Sequence, residues 1–383
     1  MIVLQIEKKF SEYFPGQPVI ITSPGRINII GVHTDYNNGY VLPAAIDKAI
    51  SVAVNKRDDG IIKIYSTQYN ELYESTVAAL VKSNLNWVNY IIGVADQLLK
   101  KDFFITGFNM VVDGDVPLGA GLSSSAAVEC AVVFALNELF ELKLDKLEMV
   151  KLAQKAEHEF AGVMCGIMDM FASMYGKPEY AIKLDCRSLE YEYVPLKLPG
   201  HKLLLFNTNV KHNLASSAYN ERRAQCESGV ALVAKQIASV KSLRDVTAQM
   251  LEQYVLPADE LIYKRCNYVV EENLRLLQAC ENLNKGNLWE LGKNMFDTHR
   301  GLSEDYEVSC KESDLLVDLV KNNKAVLGAR MMGGGFGGCT LNLVNENEIE
   351  RLVNEVGEKY LLQTGLSCSY YVVAVGGGTS VAG

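Results

Sequence analysis

The sequence predicts an α+β protein of two lobes, and three observations support this prediction. The chain has 383 residues, whereas one compact domain holds roughly 100–200. Hydrophobic residues make up 49% of it and charged residues 22%, which is the composition of a globular protein with a large core. Short strand-like stretches dominate the first half, and the last part alternates helices with strands. We place the lobes at residues 1–180 and 181–383, with mixed or antiparallel sheets packed against helices.

Charge and cysteine content exclude several classes of protein. With 37 basic against 46 acidic residues the formal net charge is −9, so a domain-wide surface for nucleic acid is not expected. No apolar stretch reaches the ~18 residues of a membrane span. The nine cysteines are dispersed without a C-x-x-C pair, and the five histidines do not cluster, so no zinc site is predicted. We expect a monomeric cytoplasmic protein without membrane or nucleic-acid partners.

Strands account for most of the first half. Residues 19–22 are rich in β-branched side chains, and Phe108, Met110 and Val112 recur at every second position. Two further alternating stretches, at 50–54 and 61–65, flank an Asp-Asp-Gly turn at 58–60. This pattern predicts a β-hairpin around that turn, in a mainly antiparallel structure.

Helices are predicted after a run of three serines and in the last third of the chain. Residues 126–143 are apolar nearly all round, which is typical of a buried helix that begins at the serines, and a second helix is predicted over 147–162. The C-terminal order is αββαβ, which indicates a ferredoxin-like layer. Its elements are a helix at 313–323, strands at 326–331 and 339–344, a helix at 346–362 and a strand at 369–375.

Two glycine-rich segments could hold an anion. VPLGAGLSSSAA at 116–127 leads from a strand into the buried helix, and backbone N–H groups at such a helix start can converge on phosphate. An ordinary serine-capped helix is an equally good interpretation of this segment by itself. The chain contains no G-K-[ST] sequence, so a P-loop is excluded. MGGGFGGCT at 332–340 lies between two apolar strands, where five glycines indicate close backbone approach or a wide hairpin loop.

Two polar segments could bind a ligand. The stretch from 23 to 39 places Arg26, Asn28, His33 and Asp35 in a turn-rich loop, as recognition of a polyhydroxylated ligand requires, although a plain Asn-Asn-Gly hairpin is the simpler interpretation. Asp169 is a lone carboxylate among apolar neighbours at 162–172. Paired with Arg26 it would stay ionised and could orient a hydroxyl proton, and the alternative role is a helix N-cap.

These segments, in this order and spacing, resemble the galactokinases of the GHMP family of small-molecule kinases. PGRINIIGVHTDYNNGYVLP resembles the galactokinase signature, VPLGAGLSSSAA the ATP-binding motif of the family, and GARMMGGGFGGCT its C-terminal glycine motif. AEHEFAGVMCGIMDMFAS lies between them. The resemblance implies two α+β lobes with the active site between them, and transfer of the γ-phosphoryl group of ATP to the C1 hydroxyl of a galactose-like sugar.

The resemblance also implies the site residues. Asp169 matches the catalytic aspartate, with Arg26 beside it. The positions that match phosphate and ATP binding are Gly119, Gly121, Ser123, Ser124, Ser125, Gly334, Gly335 and Trp87, with Tyr90 near the adenine. The positions that match sugar binding are Arg26, His33, Asp35, Gly166, Asp169 and Tyr219. Ser125 and Glu157 match the Mg²⁺ ligands, and ATP and Mg²⁺ are therefore the expected cofactors.

Two departures from the galactokinase pattern leave alternatives open. Val32 stands where galactokinases usually have a glutamate that contacts the sugar's 6-hydroxyl, and valine cannot accept a hydrogen bond. The substrate could therefore be galacturonate, fucose or L-arabinose, although replacement of the missing contact by a neighbouring residue or water is the favoured interpretation. Met170 and Met332 are milder departures within an intact glycine framework. A sugar-binding regulator on the same fold is a third hypothesis, which the intact phosphate loop and Asp169 disfavour.

Overall fold

The α+β prediction is confirmed by the computed structural model, which describes residues 2–117, 119–210 and 215–382. Leu118, within the first glycine segment, lies outside the described residues. The α-helices of the described residues are α1 (Ile2–Tyr13), α2 (Asn86–Lys100), α3 (Ser124–Phe140), α4 (Lys146–Ala156), α5 (Met168–Tyr175), α6 (Ala215–Ala234), α7 (Ala248–Tyr254), α8 (Glu260–Asn284), α9 (Leu288–Arg300), α10 (Lys311–Val320) and α11 (Ile349–Thr364).

The strands form three sheets within the same described part of the chain. They are β1 (Val19–Asn28), β2 (Tyr40–Val41), β3 (Pro43–Lys56), β4 (Ile61–Ser66), β5 (Glu71–Thr76), β6 (Phe108–Gly114), β7 (Tyr180–Asp185), β8 (Tyr191–Pro195), β9 (His201–Asn207), β10 (Val326–Met331), β11 (Cys339–Asn345), β12 (Ser369–Val373) and β13 (Ser380–Val381). The sheet orders are β13-β1-β3-β6-β4-β5, β10-β11-β9-β12 and β2-β7-β8.

The hairpin predicted around the Asp-Asp-Gly turn is wrong. β6 lies between the two strands, antiparallel to β3 and parallel to β4. The turn does reverse the chain, but β4 pairs antiparallel with the next strand, β5, and its other edge pairs with β6. A turn sequence fixes the local reversal of the chain and leaves the choice of partner to long-range packing.

Helix α3 confirms the prediction of a buried helix and supports the strands that carry the site. Its side chains are apolar nearly all round, and small residues such as Ala126, Ala127 and Ala131 are fully buried. The helix packs against β1 and β3. The helix predicted over 147–162 is α4, which starts with an Asp145–Glu148 capping box and then loosens into a π-helical turn at Glu157–Ala161. Such π turns frequently mark functional sites.

The C-terminal αββαβ order is present as α10, β10, β11, α11 and β12. The two helices pack together, and the three strands share their sheet with β9, which was not predicted and which pairs with both β11 and β12. The lobe boundary near residue 180 stays a prediction. Two pairings cross it, because β13 pairs with β1 and β7 pairs with β2.

Buried polar side chains hold the backbone of the loop after β1 in place through hydrogen bonds. The Glu272 carboxylate on α8 accepts hydrogen bonds from the backbone amides of Gly31 (2.8 Å) and Val32 (3.3 Å). The Tyr268 hydroxyl donates to the Val32 carbonyl (3.0 Å), and the fully buried Arg330 donates to the carbonyls of residues 28 and 29. Buried polar groups that are satisfied in this way hold one backbone conformation.

Candidate active site

A cavity of about 320 Å³ lies where four segments meet. These segments are β1 with the loop that follows it, the turn at 162–169, helix α6 and the C-terminal glycine loop. All six residues predicted to bind sugar line this cavity, which we therefore call the sugar cavity. They are Arg26, His33, Asp35, Gly166, Asp169 and Tyr219. The structure therefore brings together residues that are separated by up to 193 positions in the chain (219 − 26).

Asp169 is held by two donors at the cavity wall. Arg26 forms a bidentate ion pair with it, from Nε to Oδ1 and from Nη2 to Oδ2, both 2.8 Å. The Ser123 hydroxyl donates to Oδ2 at 2.5 Å, and the remaining Arg26 nitrogen, Nη1, donates to the Gly121 carbonyl at 2.7 Å. The Asp169 side chain is 23% exposed, against 6% for Arg26. One edge of the carboxylate is therefore fixed, while part of it stays open to the cavity.

Asp169 and Ser123 do not have the helix-capping roles that were the alternative predictions for them. Helix α5 begins at Met168 with Ile167 as its N-cap, so Asp169 lies in the first turn. Ser123 is the N-cap of α3, but its side chain makes no capping bond, and its backbone has a φ of 57°. A non-glycine residue in this left-handed region is uncommon and is concentrated at functional sites. The conformation directs the hydroxyl to Asp169.

Asp35 and His33 have strongly altered pKa values for the same physical reason. Burial, and to a smaller extent the negative charge of Asp169, raises the pKa of Asp35 to about 6. Burial lowers the pKa of His33 to about 3, so its imidazole is neutral near pH 7. Asp35 lies in a single 3₁₀ turn, Asp35–Asn37, and not in the tight Asn-Asn-Gly hairpin that was the simpler interpretation.

Gly166 lies against Asp35. A Cβ at residue 166 would approach the Asp35 carboxylate to 1.8 Å, so a side chain there would displace the aspartate. The absence of a side chain therefore lets the turn at 162–169 close on the loop after β1. This close contact explains why a glycine is required here.

A second cavity, of about 340 Å³, lies on the other side of the first glycine segment. Of the predicted ATP-binding residues, Trp87, Gly119, Ser124 and Ser125 line it, together with Tyr90. The Trp87 ring stacks on Tyr69 with 5.8 Å between centroids and 11° between planes. Its indole N–H donates to Glu71. We call this space the nucleotide cavity.

The two glycine segments lie against each other between the cavities. A Cβ at Gly333 would lie 3.8 Å from Gly121, and one at Gly338 would lie 4.0 Å from the Gly119 carbonyl. Gly334, which was predicted to bind ATP, lines the sugar cavity, and Gly335 packs against the Val308 backbone. The C-terminal glycine loop therefore contacts the first glycine segment. Neither Gly334 nor Gly335 lines the nucleotide cavity.

The two predicted metal ligands are neighbours. Burial raises the pKa of Glu157, and the nearby Ser125 hydroxyl acts in the opposite direction. Within the described residues no group of three or more His, Cys, Asp or Glu side chains forms a metal site. A hydroxyl and a carboxylate nevertheless fit Mg²⁺, which prefers oxygen ligands and is usually held by one or two protein groups with phosphates and water.

Sequence reasoning missed several groups around the site. Glu129, one turn after Ser125 on α3, is fully buried beside Glu157, and both of its oxygens lack a hydrogen-bond partner within the described residues. Asn220 and Cys165 also line the sugar cavity. Glu129 could have been found as a charge within the apolar first half of the helix, well before Glu138 near its end. The other two carry no comparable signal in the sequence.

Three family models match the chain. Residues 89–177 match the GHMP kinases N terminal domain, residues 8–56 the galactokinase galactose-binding signature, and residues 279–361 the GHMP kinases C terminal domain. The chain is 44% identical over 340 residues to a galactokinase of Thermotoga neapolitana, covering 89% of this chain and 93% of that protein. It is 41% identical over 380 residues to a galactokinase of Fusobacterium nucleatum, covering 97% of each. The chain belongs to the galactokinase family.

Solved structures agree with this family membership. The crystal structure of Lactococcus lactis galactokinase complexed with galactose matches with a TM-score of 0.95 and 35% identity, over 100% of both chains. The mevalonate kinase of Methanococcus jannaschii matches with a TM-score of 0.64 at 19% identity, which supports the GHMP kinase fold alone. In this galactokinase-family chain, the matched galactose-binding signature contains Arg26, His33 and Asp35. No helix of the described residues is long and apolar enough to cross a bilayer.

Proposed function

We propose that this chain transfers the γ-phosphoryl group of ATP to the C1 hydroxyl of α-D-galactose. The observation that carries the proposal is the junction of the two cavities. Asp169 lines the sugar cavity, its partner Ser123 precedes the start of α3, and the next two serines line the nucleotide cavity. A sugar hydroxyl in one cavity and a triphosphate in the other would meet at this junction. In-line positioning of this kind is the main requirement of phosphoryl transfer.

In the proposed reaction Asp169 orients the sugar hydroxyl and accepts its proton. Arg26 and Ser123 fix the carboxylate through three hydrogen bonds, so that its exposed oxygen edge faces the bound sugar. Arg26 also places a positive charge beside the reacting centre, where charge develops during transfer. We propose that His33, Asp35, Gly166 and Tyr219 bind the sugar's other hydroxyl groups.

Phosphate binding is proposed for the first glycine segment. The backbone of Gly119 and Gly121 and the side chains of Ser124 and Ser125 would contact the triphosphate at the start of α3, where N–H groups point outward. Trp87 and Tyr90 would enclose the adenine. Mg²⁺ would be held by Ser125 and Glu157, and when bound it would neutralise charge on the phosphates.

The preferred sugar is galactose in this proposal, and the relatives named above support it over the sugars altered at C6. Val32 lines the sugar cavity and belongs to an apolar cluster that includes Tyr268 and Tyr306. It offers neither a cation nor a donor to a carboxylate at that wall. All nine cysteines are free thiols, in keeping with the cytoplasmic location that we propose, and one copy of the chain carries every site residue, so we propose a monomer.

The experiment is an ATP-coupled assay over galactose, galacturonate, fucose, L-arabinose and N-acetylgalactosamine. Galactose should exceed each of the others by at least tenfold in kcat/KM, which is about 1.4 kcal/mol of transition-state discrimination. A higher kcat/KM for galacturonate would overturn the assignment of the substrate. Phosphate release from ATP without any phosphorylated sugar would overturn the kinase assignment itself.

A further inference from the structure

Glu129 is a buried acid next to the proposed metal ligands. It lies on α3, one turn after Ser125, among apolar neighbours. The residue is fully buried, and neither of its carboxylate oxygens has a hydrogen-bond partner within the described residues. Such a group is costly in a protein interior, where buried polar atoms are nearly always paired. A carboxylate at this position therefore indicates a partner that binds it in the loaded enzyme.

The geometry of α3 directs this side chain towards the nucleotide cavity. In an α-helix the Cα–Cβ bonds tilt towards the N-terminus, so a long side chain lies over the preceding turn. For Glu129 the preceding turn contains Ser125. Ser124, Ser125 and Val128 line the nucleotide cavity from the same helix. We therefore expect the Glu129 carboxylate close to the Ser125 hydroxyl.

Glu157 is a neighbour of both groups. The Ser125 hydroxyl acts on the Glu157 carboxyl, and Glu157 is the charged group that acts most strongly on Glu129. Burial raises the pKa of Glu129, and the negative charges of Glu157 and Asp169 raise it further. Because both charges that act on Glu129 are negative, two ionised carboxylates can be stable here only with a cation beside them.

The protein groups around Glu157 do not supply this cation to Glu129. The Cys165 thiol donates to Glu157 Oε2 at 3.3 Å, but it is a weak and neutral donor. The charge of Arg26 acts on Glu157, but the Arg26 nitrogens bond to Asp169 and to the Gly121 carbonyl. A divalent cation between the two glutamates would satisfy both carboxylates.

We propose that Glu129 is a further oxygen ligand of the Mg²⁺ ion, alongside Ser125 and Glu157. The inference rests on the proposed function, because it extends the metal site proposed there. Two carboxylates and a hydroxyl, completed by phosphate oxygens, fit Mg²⁺, which takes an octahedral set of oxygen ligands and is usually held by one or two carboxylates. The proposal also explains why an acid occupies a buried position of α3, where an apolar side chain would pack without a cost of desolvation.

Calorimetry with a non-hydrolysable ATP analogue tests this role without turnover. The Kd of the analogue is measured for the full chain in EDTA and in saturating Mg²⁺, and the ratio of the two constants gives the coupling between cation and nucleotide. In Glu129→Gln this Mg²⁺ ratio should fall about tenfold, because one ligand is lost. The Kd in EDTA should change less than threefold, since Glu129 does not line the nucleotide cavity. A Mg²⁺ ratio within twofold of the original would overturn the inference.

Two further variants of the same residue separate coordination from charge and from folding. Glu129→Asp keeps the negative charge but has a shorter reach, so a ligand is lost while a long-range electrostatic effect remains. We expect this variant to lose most of the Mg²⁺ ratio. A full ratio in Glu129→Asp beside a reduced ratio in Glu129→Gln would overturn coordination. Glu129→Met, which is apolar and of similar length, replaces Glu129→Gln if the buried amide prevents folding, and its ratio should fall equally.

Glu138→Gln is the matched control, because Glu138 lies near the other end of α3 with an exposed side chain. Its Mg²⁺ ratio should not change. Glu157→Gln is the reference for a lost ligand. If its ratio fell while that of Glu129→Gln did not, the role of Glu129 alone would be overturned. A Mg²⁺ ratio that depends on Glu129, in a protein that forms no phosphorylated galactose, would overturn the galactokinase proposal alone.

Discussion

The sugar cavity and the nucleotide cavity are built by different means. In the sugar cavity, charged and aromatic side chains are fixed by buried hydrogen bonds, as with Asp169 between Arg26 and Ser123. The lining of the nucleotide cavity includes Gly119, Ser124, Ser125 and the stacked Tyr69–Trp87 pair. Side-chain recognition discriminates between sugars that differ by one hydroxyl, whereas a glycine backbone and a flat ring suit a nucleotide. Specificity should therefore depend on the first cavity and nucleotide affinity on the second.

The largest effect is expected at Asp169. In Asp169→Asn the amide cannot accept the sugar's proton, and kcat should fall by about 10²–10⁴. Binding of an ATP analogue, measured by calorimetry, should change less than threefold because Asp169 does not line the nucleotide cavity. Asp185→Asn is the control, since Asp185 forms a similarly exposed ion pair with Arg244 at 2.9 Å and does not line the sugar cavity. A kcat within tenfold of the original would remove Asp169 from the chemistry.

The next effect separates Ser124 from Ser125, the two serines at the start of α3 that line the nucleotide cavity. In Ser125→Ala the Mg²⁺ concentration for half-maximal rate should rise about tenfold or more, because one proposed ligand is lost. Ser124→Ala removes only a proposed phosphate donor, and its Mg²⁺ requirement should stay within threefold. Titration of the rate with Mg²⁺ at saturating ATP measures both. If Ser124→Ala raised the Mg²⁺ requirement more than Ser125→Ala did, the metal ligand would be Ser124.

A smaller effect is expected at the adenine end of the nucleotide cavity. Trp87→Ala removes the stacked ring and should raise the KM for ATP about three- to tenfold. The KM for galactose should not change. The chain has two tryptophans, and Trp289, which is 61% exposed, provides the control Trp289→Ala. If Trp87→Ala raised the KM for galactose instead, the separation between the two cavities would be wrong.

The smallest effect concerns stability and its dependence on pH. The pKa of Asp35 rises from its ordinary value of 3.8 to about 6 on folding. Between these values the unfolded chain is ionised while the folded protein holds the proton. The Asp35 contribution to the free energy of unfolding therefore falls as pH rises from about 4 to about 6. Above pH 6, Asp35→Asn should be more stable than the original by on the order of 1–3 kcal/mol, from 1.36 kcal/mol per pKa unit.

Urea unfolding of both proteins at pH 4 and pH 7 measures this difference. The difference in free energy of unfolding between Asp35→Asn and the original protein should be larger at pH 7 than at pH 4. The variant should also bind galactose more weakly. A stability difference that is the same at both pH values would show that Asp35 ionises normally in the folded protein. In that case, more water would reach the Asp35 carboxylate in the sugar cavity than its burial indicates.

The sequence was sufficient for elements that depend on local pattern. The apolar length of α3 and the αββαβ order near the C-terminus were predicted because burial and periodicity are local properties. The placement of β6 between β3 and β4 could not be predicted, since it depends on a pairing between residues 52 (Lys56 and Phe108) to 64 (Ile50 and Gly114) positions apart. The same limit applies to β13, which pairs with β1 from the other end of the chain.

Within the site, the sequence motifs predicted which residues take part, but they did not predict the hydrogen bonds between these residues. All six predicted sugar residues line one cavity, yet the Ser123 hydroxyl turns to Asp169 through an uncommon backbone conformation that no sequence pattern indicates. Gly334 lines the sugar cavity because the C-terminal loop reaches across the first glycine segment. The ring of Tyr306, whose centroid lies 5.1 Å from that of His33, likewise reaches the site through tertiary packing alone.

The most direct test is a crystal structure with galactose, Mg²⁺ and a non-hydrolysable ATP analogue bound together. We expect the C1 hydroxyl oxygen within hydrogen-bond distance of Asp169, with the γ-phosphate on its opposite side in line for transfer. A sugar bound with C1 directed away from Asp169, or a triphosphate outside the nucleotide cavity, would contradict the proposed mechanism.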